Sequence, residues 1–471
     1  MASGRLDELR HSTVIRGVAT LVTGTGAAQL ITIGGMLICA RLYDDVAFGV
    51  LALVNSVVGI LVILASLRYD QAVVLPTEDG KSKAVVRTAV LISLWFSALV
   101  MLVIACGTPL WKNFGVEGEG LFLLNFVGVL VLATALTSIW TFWLTRKERF
   151  RQIATNRIVN SSATLGAQIG AYFLGFVTGT GLVLGRVLGI IVSTFVLGWK
   201  ARDSRVEVSP IPVKKVMYRY RKMPLLNGVG AMADSVRING INMLLAAFFS
   251  TAVLGQFSLA WQVVQAPLVL ISSSLSQVFF PILARTKPGD MLSTVRRLTF
   301  RAAVIGIVPF ALLALLAPWL FTLFFGAKWL LAGQVAQILT PWLFLNLITS
   351  PISSIFLATE TQQVVMPFSI VFAIVPLSWI AIAHGLGLEL LVTLVVLSVV
   401  MAAMLLVFIV LAWAVARRFD RSKAKTDQTT QSTSDAEDSE DPPESDESLS
   451  DSSTIEIVES TPAEKPQGRE S

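Results

Sequence analysis

Residues Val46–Asp70 read VAFGVLALVNSVVGILVILASLRYD. From Val46 to Ser66 no residue is charged, and an α-helix needs about 20 such residues to cross a hydrocarbon core of roughly 30 Å. Charge returns at Arg68 and Asp70, which place a cation and an anion at a membrane boundary. The stretch therefore predicts a membrane-spanning helix. Outward from it the same pattern recurs, and spans are predicted at residues 15–39, 46–66, 84–106, 121–144, 153–175, 179–199, 227–249, 255–280, 301–325, 331–358, 362–384 and 388–415. Composition agrees: 54% hydrophobic and 14% charged residues, with a mean hydropathy of +0.72, exclude a water-soluble chain of this length.

The distribution of basic residues tests the span count. With the N-terminus on the cytoplasmic side, 30 Lys and Arg fall on the inner side and only Arg41, Lys112 and Lys328 on the outer. Such a bias sets both topology and orientation, with both termini inside. Trp111, Trp199, Trp319, Trp329 and Trp413 fall near span ends and are expected as interfacial anchors. The segment Met1–Arg16 is polar and leads into a long apolar run without a small-residue cleavage site, so no signal peptide is expected. Cys39 and Cys106 lie in apolar runs without CxxC or Cys/His spacing and are expected as buried small hydrophobes; neither a disulfide, a metal nor a cofactor is implied.

The longest inner loop, Lys200 to Met223, contains KKVMYRYRK and divides the spans six and six. GVLALVNSVVGILVILASLRYDQAVVL from Gly49 aligns with GQFSLAWQVVQAPLVLISSSLSQVFFP from Gly255, matching Gly49/Gly255, Leu53/Leu259, Val57/Val263, Val58/Val264, Ser66/Ser272 and Gln71/Gln277. The second span of one half thus meets the second span of the other, the mark of a parallel duplication. The expected organisation is an N-terminal six-helix lobe (1–200), a cytoplasmic inter-lobe loop (201–226), a C-terminal six-helix lobe (227–418) and a disordered acidic tail (419–471). From Thr426 to the end the chain holds 14 acidic and 2 basic residues, a charge of −12, so the rest carries +18 to reach the net +6. A basic inner face suits anionic membrane lipids, and nothing indicates nucleic acid.

No Walker A loop, HExxH or GxSxG occurs, and no outer loop is long enough for a catalytic domain, so an enzyme is not expected. His384, near the outer end of the eleventh span, reads as solvated or facing headgroups. The informative residues are charges inside spans, which cost about 2.5–3.5 kcal/mol each and usually face water or one another. Asp234 and Arg237 lie three apart in ADSVRINGINML, with Asn242 on the same broad face; they read either as a cavity-lining group for an anionic substrate or as a local ion pair holding the helix. Arg237→Ala is expected to abolish transport in the first reading. Arg186 follows Gly181 and Gly185 and precedes Gly189, a small-residue series for close helix packing, and either faces a cavity or snorkels to headgroups. Arg68 and Asp70 read as anchors or site residues. Pro267, Pro351, Pro367 and Pro376 permit kinks within spans.

The stretches ARLYDDVAFGVLALVNS, SLRYDQAVVLP and AAFFSTAVLGQFSLAWQVVQAPLVLISSSLSQVFFPILAR resemble the Wzx-type oligosaccharide flippases of the MOP superfamily, over about Ser12 to Arg418. The resemblance implies an all-α, MATE-like polytopic membrane protein of about twelve transmembrane helices in two six-helix lobes around a central cavity. It also implies alternating access, a polyprenyl-diphosphate-linked oligosaccharide as cargo for O-antigen, capsule or exopolysaccharide, residence in the bacterial inner membrane, and a polysaccharide polymerase and export machinery as partners. Arg68 followed by Asp70 matches the arginine and acidic residue typical of the family at the end of the second helix. The alternative is a MATE-like small-molecule exporter, which predicts an acid-rich cation site.

Overall fold

The computed structural model describes residues 2–107, 119–204, 211–221, 223–286, 289–359 and 361–437. Its long elements are twelve α-helices: α1 (Ala2–Leu42), α2 (Asp45–Ser66), α3 (Asp79–Cys106), α4 (Glu119–Arg146), α5 (Phe150–Phe173), α6 (Gly179–Lys200), α7 (Val229–Phe248), α8 (Thr251–Arg285), α9 (Met291–Phe325), α10 (Leu330–Ile352), α11 (Gln362–Gly385) and α12 (Leu390–Glu437). Among the described residues there is no β-strand. Ten of the twelve helices are long and apolar enough to cross a membrane. The other two, α5 and α7, are of similar length but hold polar residues such as Asn156, Arg157, Asn160 and Gln168, or Asp234, Arg237, Asn239 and Asn242. Several of these polar groups, Asn156, Asn160, Gln168 and Asn242 among them, face neighbouring helices or a cavity, where a span tolerates them.

Two compact units divide the chain, Met1–Arg421 and Ser422–Ser471. In the second, residues 422–437 are helical, where composition leads to an expectation of disorder. Helix extension adds one hydrogen bond per residue and needs no new nucleus, which lets a poor helix-forming sequence follow a good one. The rest of the acidic tail, 438–471, lies outside the described residues, as do Trp111, Lys112 and part of the inter-lobe loop (205–210 and 222).

On the outside of the first unit, large apolar side chains including Phe195, Leu315 and Val410 are exposed, as suits helices bordered by lipid. Cys106 is exposed among them, contrary to the expectation of burial, whereas Cys39 is buried. Apolar residues need not be internal when the solvent is a bilayer. Trp199 and Trp319 are exposed as anchors would be, but Trp329 is fully buried. It packs edge-on against Phe48 at 5.1 Å and donates its indole N–H to the Ala40 carbonyl at 2.9 Å, so it joins helices instead of marking an interface. His384 is exposed and stacks on Phe248 at 4.3 Å.

The first and second halves of the chain approach closely where α2 crosses α8. A Cβ placed on Gly49 would lie 1.8 Å from the Thr251 carbonyl oxygen, and one on Gly255 would lie 1.8 Å from that of Asp45. Only glycine allows backbones this near. Both helices begin alike: Asp44 accepts a hydrogen bond from the Ala47 amide at 2.8 Å, and Ser250 from the Val253 amide at 3.1 Å, each satisfying an otherwise free N-terminal donor. The register that pairs Gly49 with Gly255 also pairs Asp44 with Ser250 and Asp45 with Thr251, so the two helices start with the same side-chain cap at matching positions. Around the crossing, the Gln256 amide donates to Asp45 Oδ2 (3.1 Å) and to the Lys328 carbonyl (2.9 Å) and accepts from the Ala332 amide (3.0 Å). Lys328 in turn donates to the Tyr43 carbonyl at 2.7 Å, so hydrogen bonds join the two halves of the chain here.

Candidate functional site

A cavity of about 470 Å³ opens among α1, α2, α5 and α6, with Thr134 of α4 and Gln262 of α8 completing its wall. Close packing beside it comes from the glycine series: a Cβ on Gly185 would meet Gln168, and one on Gly189 would meet Thr164, so α6 lies tight against α5. The lining residues of α1 (31, 32, 35, 36 and 39) and of α5 (160, 161, 164, 165 and 168) each follow the spacing of one helical face. Polar groups concentrate there: Thr32, Asn55, Asn160, Ser161, Thr164, Gln168 and Gln262.

Arg186 is the charged residue of this lining, and no Asp or Glu is among the lining residues. Its guanidinium makes no hydrogen bond or ion pair to the described residues. Some neighbours are internally satisfied. Gln168 donates to the Leu182 carbonyl at 3.2 Å, and Ser161 and Thr32 share a hydrogen bond at 3.1 Å. Gln262 donates to the Ser258 carbonyl at 3.2 Å. The arrangement presents a forked cation in a pocket of neutral hydrogen-bonding groups, a geometry suited to a phosphate or carboxylate.

The remaining residues singled out in sequence do not line this cavity. Arg237 is buried, lies 4.7 Å from the centre of the Phe372 ring and donates to Asp234 at 3.4 Å. With Asn242 it borders a separate niche of only about 10 Å³, walled by Phe257, Trp261 and Trp342, which has room for no ligand larger than one water. The Asp234 carboxylate is 65% exposed, so the pair itself contributes little. Asn242 donates to Ser56 of α2 at 2.9 Å, and Ser235 donates to the Gly59 carbonyl at 2.9 Å; α7 is thereby bound to α2. Replacing Arg237 by Ala is expected to lower stability by about 1–3 kcal/mol, through loss of the ring contact and the packed stem. Thermal unfolding in detergent measures this, and a melting temperature equal to that of the wild type would contradict it.

Arg68 and Asp70 stand at the end of α2. Leu67 and Arg68 both adopt positive φ, 43° and 59°, a conformation costing non-glycine residues about 1–2 kcal/mol each. The turn is held from both sides. Asp70, buried, accepts from Ser138 at 2.6 Å, and Tyr69 donates to the Met217 carbonyl, in the segment joining α6 to α7, at 3.2 Å. Thus the six residues occupy three places: the cavity (Arg186), the α7 niche (Asp234, Arg237, Asn242) and the α2 terminus (Arg68, Asp70).

Sequence reading passed over Asn55, Asn160, Thr164 and Gln168. The signal that would have found three of them is their spacing: Asn160, Thr164 and Gln168 recur every four residues and form one polar stripe on a span.

The helical arrangement with an internal polar cavity defines a polytopic membrane protein with the fold of MOP-superfamily transporters. An inward-facing multidrug MATE transporter of that superfamily aligns with a TM-score of 0.58 at 16% identity, covering 86% of this chain and 96% of that one. The lipid II flippase MurJ in an inward closed conformation aligns with a TM-score of 0.64 at 13% identity, covering 85% and 89%. A model of the polysaccharide biosynthesis protein family matches residues 38–334, and the chain belongs to that family. Teichuronic acid biosynthesis protein TuaB of Bacillus subtilis (strain 168) is 21% identical over 293 residues, 59% of this chain and 58% of that protein; the chain thus spans little more than half the length of the curated relative it matches.

Proposed function

We propose that the protein is a flippase that moves an oligosaccharide, linked through diphosphate to a polyprenyl lipid, between the leaflets of the bacterial cytoplasmic membrane for surface polysaccharide assembly. The observation that carries this is Arg186, an unpaired guanidinium on a cavity whose lining has no carboxylate. A cation exporter needs the opposite charge, and an enzyme would need acid, base or nucleophile groups converging on the pocket. Membership in the polysaccharide biosynthesis family supports the glycan part.

In this reading residues 1–200 and 227–418 are two lobes that rock about the bound cargo, joined by the loop 201–226, with both termini and the 419–471 tail on the cytoplasmic side. The α2/α8 crossing closes the outer side and opens when the lobes rock. Arg186 holds the diphosphate. Arg237, Asp234 and Asn242 form the α7 side of the path and Arg68 with Asp70 its inner boundary. Membrane lipids surround the bundle, and a polymerase with export machinery takes up the product.

The test is leaflet exchange in reconstituted vesicles, comparing a polyprenyl-diphosphate oligosaccharide with a cationic drug. Exchange of the glycolipid and not the drug is expected. Exchange of the drug alone would replace the flippase by an exporter.

A further inference from the structure

A second cavity, of about 450 Å³, lies between α4 and α6, and the transport reading makes no use of it. Its walls run from Val129 to Trp140 on α4 and from Ile191 to Trp199 on α6, each at the three- and four-residue spacing of one helical face. From Val129 to Trp140 a helix rises about 16 Å, so the groove follows the helices through about half of the ~30 Å hydrocarbon core. Its rim is open to the outside of the bundle, with Ile191, Phe195 and Trp199 exposed. Its floor is closed. Thr194 shares a hydrogen bond with Thr137 of α4 at 2.9 Å, and Thr134 and Arg186 of the first cavity lie on other faces of the same two helices.

One end of the groove is charged. Arg202, in the turn after α6, completes the lining, with its guanidinium 5.8 Å from the centre of the Trp199 ring. Other cations at this end are already paired: Arg149 with Asp203 at 3.3 Å, and Arg146 (3.2 Å) and Lys147 with Asp79. Arg202 and Lys200 make no ion pair to the described residues.

An indole and a guanidinium beside an apolar channel of this length match a molecule with a phosphate head and a long hydrocarbon chain. A phospholipid and the cargo both have that form. The cargo's diphosphate is assigned to Arg186, across α4 and α6, and one molecule cannot reach both places through the closed floor. A neighbouring protein helix fits less well, because close helix packing favours small residues along a face, and Phe195 and Trp199 stand out from this one.

We propose that the α4/α6 groove binds an anionic glycerophospholipid of the cytoplasmic leaflet, with an acyl chain along the groove and the phosphate on Arg202. The leaflet rests on the orientation given above; the site does not depend on the flippase reading. Charge decides which lipid stays. A zwitterionic head brings its own cation to the phosphate, whereas an anionic head leaves the phosphate to Arg202 and Lys200.

Native mass spectrometry of the full-length protein, titrated with phosphatidylglycerol and with phosphatidylethanolamine of the same chains, reads the affinity of the first bound lipid. The wild type is expected to favour phosphatidylglycerol about fivefold, and Arg202→Ala to bring that ratio to about one. Arg296→Ala is the matched control: it removes a guanidinium 5.2 Å from the Trp413 ring centre that lines neither cavity, and it should keep the ratio. Ile191→Trp, which fills the groove from its exposed rim, should abolish the first high-affinity site for both lipids. Equal wild-type affinities, or an equal fall with Arg296→Ala, would show an unselective lipid shell and overturn the site. Displacement of phosphatidylglycerol by an equimolar short-chain polyprenyl diphosphate in the Arg186→Ala variant would also overturn it, by making the groove a place for cargo. Drug exchange in the vesicle assay would remove the flippase reading and leave these lipid ratios as they are.

Discussion

Arg186→Ala is expected to slow leaflet exchange of the diphosphate-linked glycolipid by about a hundredfold. Charge-assisted hydrogen bonds contribute about 1.5–3 kcal/mol each, and a guanidinium can offer two in parallel to a phosphate, so the loss outweighs any relief of desolvation. Lysine in its place keeps the charge and loses the fork, and should retain roughly a tenth of the rate. Stability should move the other way. Arg186 has no partner in the described structure, and an unpaired charge at membrane depth costs about 2.5–3.5 kcal/mol, so the alanine variant should melt no lower than the wild type. A side chain that lowers stability yet supports transport is the expected profile of a binding group. Wild-type exchange by the alanine variant would dismiss Arg186 from the mechanism, and a large fall in melting temperature would reassign it to packing.

Gly255→Ala, and equally Gly49→Ala, should prevent the α2/α8 crossing from closing. The added methyl would lie 1.8 Å from a backbone carbonyl oxygen, and no rotamer change can move a backbone atom. Overpacking against side chains costs about 1–3 kcal/mol; against a second backbone the upper end applies, enough to shift the closed population by about a hundredfold. Spin labels at Val46 and Leu330, both exposed, would report a longer separation in vesicles. Gly34→Ala, where a Cβ meets nothing within 4 Å, is the matched control and should leave the separation unchanged. An unchanged distance in Gly255→Ala would mean that the crossing accommodates the methyl and does not depend on glycine.

Hydropathy made the twelve helices legible, because a bilayer imposes both a length and a polarity on every crossing. Even α5 and α7, more polar than their neighbours, stood out from the loops at their ends. Less legible was which face of a span looks inward. Arg186 and Arg237 are both in-span cations, yet one lines the cavity and the other packs on Phe372. The difference depends on how helices rotate against one another, which composition does not encode. Trp329 failed as an anchor for the same reason: its position near a span end was correct, but the chain folds Phe48 and Ala40 over it. The glycine pair was visible as an alignment, and its contact was not, since matching register says nothing about distance.

At the α2/α8 crossing, Gly49 meets Thr251 while Gly255 meets Asp45, and these are corresponding positions in the two halves. Contact of one residue with its counterpart's neighbour, returned in kind, is the arrangement of an isologous interface between identical subunits. A single six-helix ancestor, meeting its own copy across a two-fold axis, would have touched itself through this glycine. On that origin the two glycines would descend from one position, where any side chain would have held the ancestral copies apart.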